Sequence, residues 1–131
     1  MKISAKTYYG LKALTRLASS SLPISAKEIA QAENIPLPYL GKIFQSLRQS
    51  GFVASQRGIK GGYTLMHAPQ DISLSDIFTE LEGPFFSIPC LGGSSCPMEK
   101  TCQTKDSWYK INRGIDTYLS TITLQNIIEH Q

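Results

Sequence analysis

The stretch FVASQRGIKGGYTLM, residues 52–66, limits the possible folds more than any other part of the chain. Two short β-prone runs, Phe52–Ser55 and Tyr63–Met66, flank a loop with three glycines and two basic residues. Such runs, separated by a glycine-rich loop, are typical of a hairpin with a long tip. We therefore predict one β-hairpin whose tip carries Arg57 and Lys60.

Three helical segments precede this hairpin. Apolar residues at helical spacing predict an amphipathic helix over about Lys6–Ser19. Ser25 followed by Glu28 is a capping box, which begins a short second helix. A third helix is predicted to begin near Pro36, because proline is tolerated in a first turn, and to end at a glycine cap, Gly51. This order of helices followed by a hairpin is that of a winged helix-turn-helix.

Two further helical segments follow the hairpin. Ser73 is expected to cap a helix over Leu74–Glu82. Farther on, apolar residues alternate three and four positions apart, as in the a/d seam of one long helix. The seam residues are Trp108, Ile111, Ile115, Tyr118 and Ile122. Such a narrow seam needs a partner helix, most simply its own copy in a homodimer, although packing on its own domain is the alternative. A short helix over Leu124–Glu129 is predicted to end the chain.

The predicted fold class is mostly α with a small β-hairpin wing: a winged helix-turn-helix plus a long C-terminal dimerisation helix. We expect a DNA-binding domain over residues 1–83, a cysteine-containing loop over 84–103, and the dimerisation helix and short helix over 104–131. The apolar runs are too short to span a bilayer. Lys12 and Arg16 interrupt the N-terminal segment where a signal peptide is apolar. We therefore expect a cytoplasmic protein with no membrane partner.

Charge divides the chain into a basic and an acidic half. Residues 1–67 hold nine Lys or Arg and two Glu, which gives +7, and residues 68–131 hold four bases and eight acids, which gives −4; together they make the net charge of +3. A basic half favours a polyanionic partner, here double-stranded DNA. The third helix of a winged helix-turn-helix lies in the major groove, and a slim basic tip fits the minor groove. The candidate DNA contacts are Tyr39, Lys42, Arg57 and Lys60.

All three cysteines lie in one stretch, CLGGSSCPMEKTC, with five residues between neighbouring thiols. In a reducing compartment such thiols are more often metal ligands or redox groups than structural disulfides. Zinc sites usually contain a closer cysteine pair, and His67 and His130 lie elsewhere, so zinc is the weaker interpretation. Iron–sulfur clusters are held by thiolates. A cluster on Cys90, Cys96 and Cys102, a thiol switch and incidental cysteines all stay open from these residues alone. No base stands beside a cysteine as in a nucleophilic enzyme, so we expect no catalytic residue and no enzymatic activity.

The order and spacing of five stretches resemble the IscR/NsrR family of bacterial transcription regulators, the Rrf-two family: YYGLKAL, PYLGKIFQSLRQSGFV, RGIKGGY, the cysteine stretch and KDSW. The resemblance implies a homodimer crossed through the long C-terminal helix, a palindromic operator, and an iron–sulfur cluster (2Fe-2S or 4Fe-4S) on the three cysteines. It matches Arg57 to a wing arginine that enters the minor groove, and Tyr39 and Lys42 to recognition-helix contacts. Gly41 stands where the best-known member type has an acidic residue that tunes operator choice, which leaves the operator sequence open.

The fourth cluster ligand is missing from its familiar positions. Where family members place a non-cysteine ligand, this chain has Lys105, Tyr8 and Lys12. The remaining candidates are Glu99, Asp106, a phenolate of Tyr8 or Tyr9, a water and a small thiol. Asp106 is expected at the start of the long helix instead, where its charge suits the helix dipole. An exchangeable fourth position would suit a sensor of nitric oxide, oxygen or cluster loss.

The sequence therefore predicts an iron–sulfur-dependent transcription regulator, with repression as the expected effect, that senses cluster status, redox state or nitric oxide. Gain or loss of the cluster would reorder residues 90–102 and shift the two recognition helices of a dimer. Two alternatives stay open. One is a thiol-redox or zinc-containing regulator of the same fold, and the other is an iron–sulfur carrier or assembly partner that uses the basic half for protein contacts.

Overall fold

A computed structural model describes residues 2–93 and 95–130, which form six α-helices and one two-stranded sheet. The helices are α1 (Ala5–Ala18), α2 (Ala26–Glu33), α3 (Leu37–Gln49), α4 (Leu74–Leu81), α5 (Lys105–Ser120) and α6 (Leu124–Glu129). The strands are β1 (Val53–Gln56) and β2 (Gly62–Leu65), and a 3-10 turn spans Pro69–Asp71. Over these residues, no helix is both long enough and apolar enough to cross a membrane.

The predicted fold class, mostly helical with one antiparallel hairpin, is confirmed. The local signals operate as expected. The hydroxyl of Ser25 accepts the backbone N–H of Glu28 at 3.1 Å, and the Glu28 carboxylate accepts the N–H of Ser25 at 2.9 Å. Asn34 ends α2 in the left-handed conformation, with φ 54°. Gly51 follows α3 with φ 84°, a conformation that a glycine adopts without steric strain.

One apolar core joins the helices to the hairpin. Its fully buried side chains come from α1, α2, α3, α4, α6 and Val53 of β1, and the largest are Phe44, Leu14, Ile29, Leu40, Ile43, Leu47, Ile77 and Leu124. Phe44 of α3 stacks on Tyr63 of β2 with ring centroids 4.1 Å apart and planes 6° apart. The last helix, α6, therefore completes the same core as the first three helices through Leu124.

The end of α4 is fastened to the beginning of α1. The carboxylate of Glu82, the C-cap residue of α4, accepts hydrogen bonds from the Ser4 hydroxyl at 2.7 Å and the Thr7 hydroxyl at 2.5 Å. It also accepts the backbone N–H of Ser4 at 3.1 Å. The negative charge lies at the N-terminus of α1, where the helix dipole favours it. The hydrogen bonds from Thr7 and Ser4 lower the pKa of Glu82.

The long helix α5 packs beside α4, and the Ser75 hydroxyl donates a hydrogen bond to Asp116. Asp106 lies in the first turn of α5, as expected. A short bridge at the far end of α5 joins it to the segment before α4: the N–H of Leu74 donates to the carbonyl of Ile122 at 2.8 Å, and the N–H of Leu124 donates to that of Ile72 at 3.0 Å. No side chain of α5 is buried within the described chain.

We expect Glu82→Gln to lower the free energy of unfolding by about 1 kcal/mol at neutral pH, because it removes a partly exposed charge that caps α1. A carboxyl with a lowered folded-state pKa stabilises the fold above its ordinary pKa of 4.5 and loses that effect as the pH falls through the lowered value. Urea denaturation from pH 7 to pH 3 measures this difference.

The matched control is Glu80→Gln, on the same helix, because no hydrogen bond from α1 to Glu80 is found within residues 2–93 and 95–130. The difference between wild type and Glu82→Gln should shrink with acidification, and that of the control should not follow the same course. A constant difference for Glu82→Gln over the whole pH range would contradict the proposed cap.

Candidate nucleic-acid interface and cysteine loop

The recognition helix α3 has one buried side and one exposed polar side. Leu40, Ile43, Phe44 and Leu47 face the core. The exposed polar side chains are Lys42, Gln45, Arg48 and Gln49. Lys42 is thus presented to solvent by the packing of its neighbours, as a groove contact requires.

Tyr39 is placed differently from Lys42. Its side chain is half-buried, and its ring meets the ring of Tyr9 edge-on, with centroids 5.7 Å apart and planes 79° apart. Packing against α1 therefore holds the ring in a fixed orientation. The Tyr39 ring therefore contributes to packing between α1 and α3, independently of any contact that its hydroxyl makes with DNA.

Strand β2 of the wing is fixed to the helical core. Tyr63 donates its N–H to the carbonyl of Ile24 at 2.8 Å, and Ile24 donates its N–H back to the carbonyl of Tyr63 at 3.1 Å. Gly62 makes this approach possible, because a Cβ there would lie 2.4 Å from the Ile24 carbonyl carbon, and its φ is 152°. A Cβ on Gly61 would lie 2.3 Å from the Gln56 carbonyl oxygen. Gly61 and Gly62, where the tip joins β2, thus allow a close backbone approach to Gln56 and to Ile24.

The tip of the wing is a tight turn. The N–H of Gly61 donates to the carbonyl of Gly58 at 3.0 Å, which closes a four-residue turn with Ile59 and Lys60 at its centre. Arg57 and Lys60 are both exposed. Ile59, between them, is also exposed, and the sequence signals did not single it out.

Two of the three cysteines share a cavity. Cys90 and Cys96 line a space of about 270 Å³ together with Glu99, Lys105 and Tyr109. The Tyr109 hydroxyl donates to the carbonyl of Cys90 at 2.6 Å, and the ammonium of Lys105 lies 2.9 Å from the carboxylate of Glu99. The hydrogen bond to Glu99 raises the pKa of Lys105. The first two turns of α5 are therefore bonded to the cysteine loop, through Lys105 and Tyr109.

Cys102 lies outside this cavity and is exposed. Its sulfur is 3.4 Å from the hydroxyl of Thr104, and hydrogen bonds from Thr104 lower the pKa of the Cys102 thiol, with a smaller effect of Lys105. In the described part of the chain, no three Cys, His, Asp or Glu side chains converge as metal ligands. Three thiols suit an iron–sulfur cluster chemically, but a three-cysteine site requires the loop to bring Cys102 to the other two.

The positions at which the resemblance would imply a fourth ligand carry side chains with other contacts. The ammonium of Lys12 lies 4.9 Å from the centroid of the exposed Tyr8 ring. Lys105 is paired with Glu99. Among the candidate ligands from the sequence, Glu99 is the one that lines the cavity beside Cys90 and Cys96, and Asp106 is not part of that lining.

The predicted seam of α5 is open in a single chain. Ile111 and Tyr118 are 45% and 67% exposed. Ile115 is half-buried, and Trp108 packs its ring against Phe86 of the same chain, with centroids 5.7 Å apart. The prediction that Ile122 belongs to the same helix is wrong, because α5 ends at Ser120 and the carbonyl of Ile122 accepts the N–H of Leu74 in the bridge to α4. One end of the seam thus has an intrachain contact, and an apolar stripe continues beyond it along α5.

The architecture and the order of these elements agree with known regulators. The family signature of Rrf2, described as an iron-dependent transcriptional regulator, matches residues 3–130. The chain belongs to the Rrf2 (Rrf-two) family. A Synechocystis sp. protein named as an HTH-type transcriptional regulator, slr0846, is 37% identical over 129 residues, which cover 97% of this chain and 87% of that protein.

Two solved structures share the fold over nearly the whole chain. T. potens IscR has a TM-score of 0.81 at 33% identity and covers 99% of this chain and 88% of its own. CymR, the global cysteine regulator of B. subtilis, has a TM-score of 0.80 at 33% identity and covers 100% of this chain and 98% of its own. The fold is therefore a winged helix-turn-helix, and membership of this family implies DNA binding in transcription regulation rather than catalysis.

We expect Gly62→Ala to lower the free energy of unfolding by about 2 kcal/mol, because the added Cβ overlaps the backbone of Ile24 and the φ is unfavourable for alanine. Gly41→Ala is the control, since a Cβ there meets open space within a helix, and it should stabilise by about 0.5–1 kcal/mol. Urea denaturation measures both changes. Wild-type stability of Gly62→Ala would contradict the close approach of the wing to Ile24.

Proposed function

We propose that this protein is a cytoplasmic, homodimeric transcription regulator, acting as a repressor, whose affinity for a palindromic operator depends on an iron–sulfur cluster. The cluster would be held by Cys90, Cys96 and Cys102. The observation that carries the proposal is the position of the cysteine loop. It runs from Glu82, which is bonded to α1, to Lys105, which begins α5.

The DNA contacts follow from the exposed sides of α3 and the wing. Lys42 and the hydroxyl of Tyr39 would contact the major groove and its phosphates, and Arg57 would enter the minor groove beside Lys60. The stacking of Phe44 on Tyr63 supports this arrangement, because it holds the recognition helix and the wing at one fixed separation. The recognition helix and the wing would then contact one operator half-site at the same time.

The loop is bonded to the elements whose position decides DNA binding. Tyr109 and Lys105 connect it to the proposed dimer helix, and Glu82 connects its beginning to the DNA-reading domain. Two half-sites lie roughly 34 Å apart, so a small rotation of one subunit against the other changes how both recognition helices fit. A rearrangement of the loop would therefore alter the affinity for the operator.

Cluster binding requires such a rearrangement. The loop must bring Cys102 to Cys90 and Cys96, which already line one cavity. An iron–sulfur cluster supplies sensitivity to redox state and nitric oxide when it is bound. The protein's own part is to offer the three thiolates, to balance their charge with Lys105, and to leave the remaining position to Glu99 or to an exchangeable ligand.

A thiol switch is the second candidate function, and the placement of the thiols favours it specifically. Cys90 and Cys96 line the same cavity, and the pKa of Cys102 is lowered by Thr104. Oxidation of two thiols to a disulfide releases two protons and passes two electrons to an oxidant such as a peroxide. The similarity to CymR, named a global cysteine regulator, is consistent with this candidate.

Anaerobic purification followed by iron and sulfide analysis and Mössbauer spectroscopy tests the cluster. We expect iron and sulfide in the wild type, one iron with a distinct ligand, and a large loss of iron in Cys90→Ser, Cys96→Ser and Cys102→Ser. Loaded and cluster-free protein should bind the same operator with different affinities at matched salt. Equal affinities would contradict the coupling.

The other outcomes of this experiment identify the alternatives. An iron-free protein whose DNA affinity changes reversibly with peroxide would support the thiol switch, and zinc as the sole metal would support the zinc-containing form. A carrier or assembly partner would carry the cluster but bind DNA without sequence preference. A carrier and a DNA reader would both lose affinity with salt, because phosphate contacts release counterions, so the deciding measurement is the preference for the palindrome over an unrelated duplex at matched salt.

We expect Ile111→Asp to convert the dimer to a monomer, because it places a charge on the apolar seam. Ile111 is exposed in a single chain, so the change should leave the stability of the monomer nearly unaltered. Thr117→Asp is the control, since Thr117 is exposed on another side of α5. Sedimentation velocity measures the outcome, and a dimeric Ile111→Asp would contradict the seam.

A further inference from the structure

Ile59 is the most exposed large apolar side chain in the described part of the chain. Its relative accessibility is 106%, so the fold covers none of it. The next such residue, Leu22, is 72% exposed. Single surface hydrophobics are common in proteins, and the argument for Ile59 rests on where it lies and what surrounds it.

The local structure gives no reason for an isoleucine at this position. Ile59 lies at the centre of the turn that the N–H of Gly61 closes on the carbonyl of Gly58. Gly, Pro, Asn, Asp and Ser are the residues that favour such turns, each through its backbone conformation or a local hydrogen bond. A β-branched apolar residue contributes neither effect, and here it also contributes nothing to the core.

The surroundings of Ile59 match the minor groove of DNA. Arg57 and Lys60 flank it on the chain and are both exposed, so the apolar side chain projects from a positively charged tip. Gly58 and Gly61 keep that tip slim, because neither carries a side chain. Strand β2, just after the tip, is held by the Ile24–Tyr63 bridge, so the tip can press against a partner without loss of the hairpin.

We propose that Ile59 is an apolar wedge that enters the minor groove of the operator beside Arg57 and partly unstacks one base step. This inference rests on the proposed DNA-binding function and names a specificity-determining residue within it. Minor-groove binders use isoleucine, leucine, methionine and proline side chains in this way. Pyrimidine–purine steps unstack most easily, so the wedge would favour a TA or CA step at a position that no hydrogen bond reads.

The experiment uses the full-length protein and a duplex that the wild type selects from a random-sequence library. Adenines of the site are replaced one at a time by 2-aminopurine, whose fluorescence rises when a base unstacks. The variants are Ile59→Ala and Ile59→Met, with Met66→Ala as the control. Met66 is 53% exposed and lies just past β2, at the end of the hairpin away from the tip.

The expected results concern DNA binding first and stability second. Ile59→Ala binds roughly tenfold more weakly, as the loss of a partly buried isoleucine predicts, and it loses both the fluorescence rise and the preference for a flexible step. Ile59→Met retains them, because methionine is also an apolar wedge, and Met66→Ala behaves as wild type. Thermal unfolding of Ile59→Ala should match the wild type, since the Ile59 side chain is fully exposed.

Three outcomes overturn the wedge. Unchanged affinity and fluorescence in Ile59→Ala would show that Ile59 does not enter the groove, and weaker binding with an unchanged fluorescence rise would show a surface contact without unstacking. Both leave the proposed DNA-binding function intact. A wild-type protein that selects no duplex would overturn the proposed function and the wedge with it.

Discussion

The stacking of Phe44 on Tyr63 is the contact on which the DNA-binding half of this protein depends. Phe44 belongs to the recognition helix and Tyr63 to the wing, and the backbone of Tyr63 also pairs with Ile24 between α1 and α2. One residue of the hairpin is therefore held by an aromatic contact and by two hydrogen bonds at once. The core, rather than the loop between them, therefore sets the spacing of the two elements that are proposed to contact DNA.

Much of the fold was predictable because its signals are local. The capping box at Ser25, the glycine cap at Gly51 and the basic hairpin each lie within a few residues of the structure that they determine. The clamp between Glu82 and α1 was not predictable, because it joins residues 75 and 78 positions apart. The docking of α6 through Leu124 was missed for the same reason, since a six-residue apolar segment does not reveal what it packs against.

In the candidate site, too, local features were predictable from the sequence and long-range contacts were not. Spacing and residue type identify three thiols as a group, but they do not reveal that Cys90 and Cys96 line a cavity while Cys102 lies beside Thr104. The proposed role of the basic residues of the wing was predictable from the sequence, because basic side chains are the usual contacts of a polyanion. Ile59 was missed, because an apolar residue in a sequence suggests a core, and its full exposure is visible only in three dimensions.

The bridge between the far end of α5 and the segment before α4 gives the long helix a pivot. Leu74 and Leu124 donate the hydrogen bonds of that bridge, whereas the other end of α5 is held by the cysteine loop through Tyr109. A helix of 16 residues is about 24 Å long. By the geometry of a lever of that length, a tilt of about 5° at the pivot moves the other end by about 2 Å. In the proposed homodimer, a displacement in the loop would thus rotate the surface that α5 offers to the second subunit.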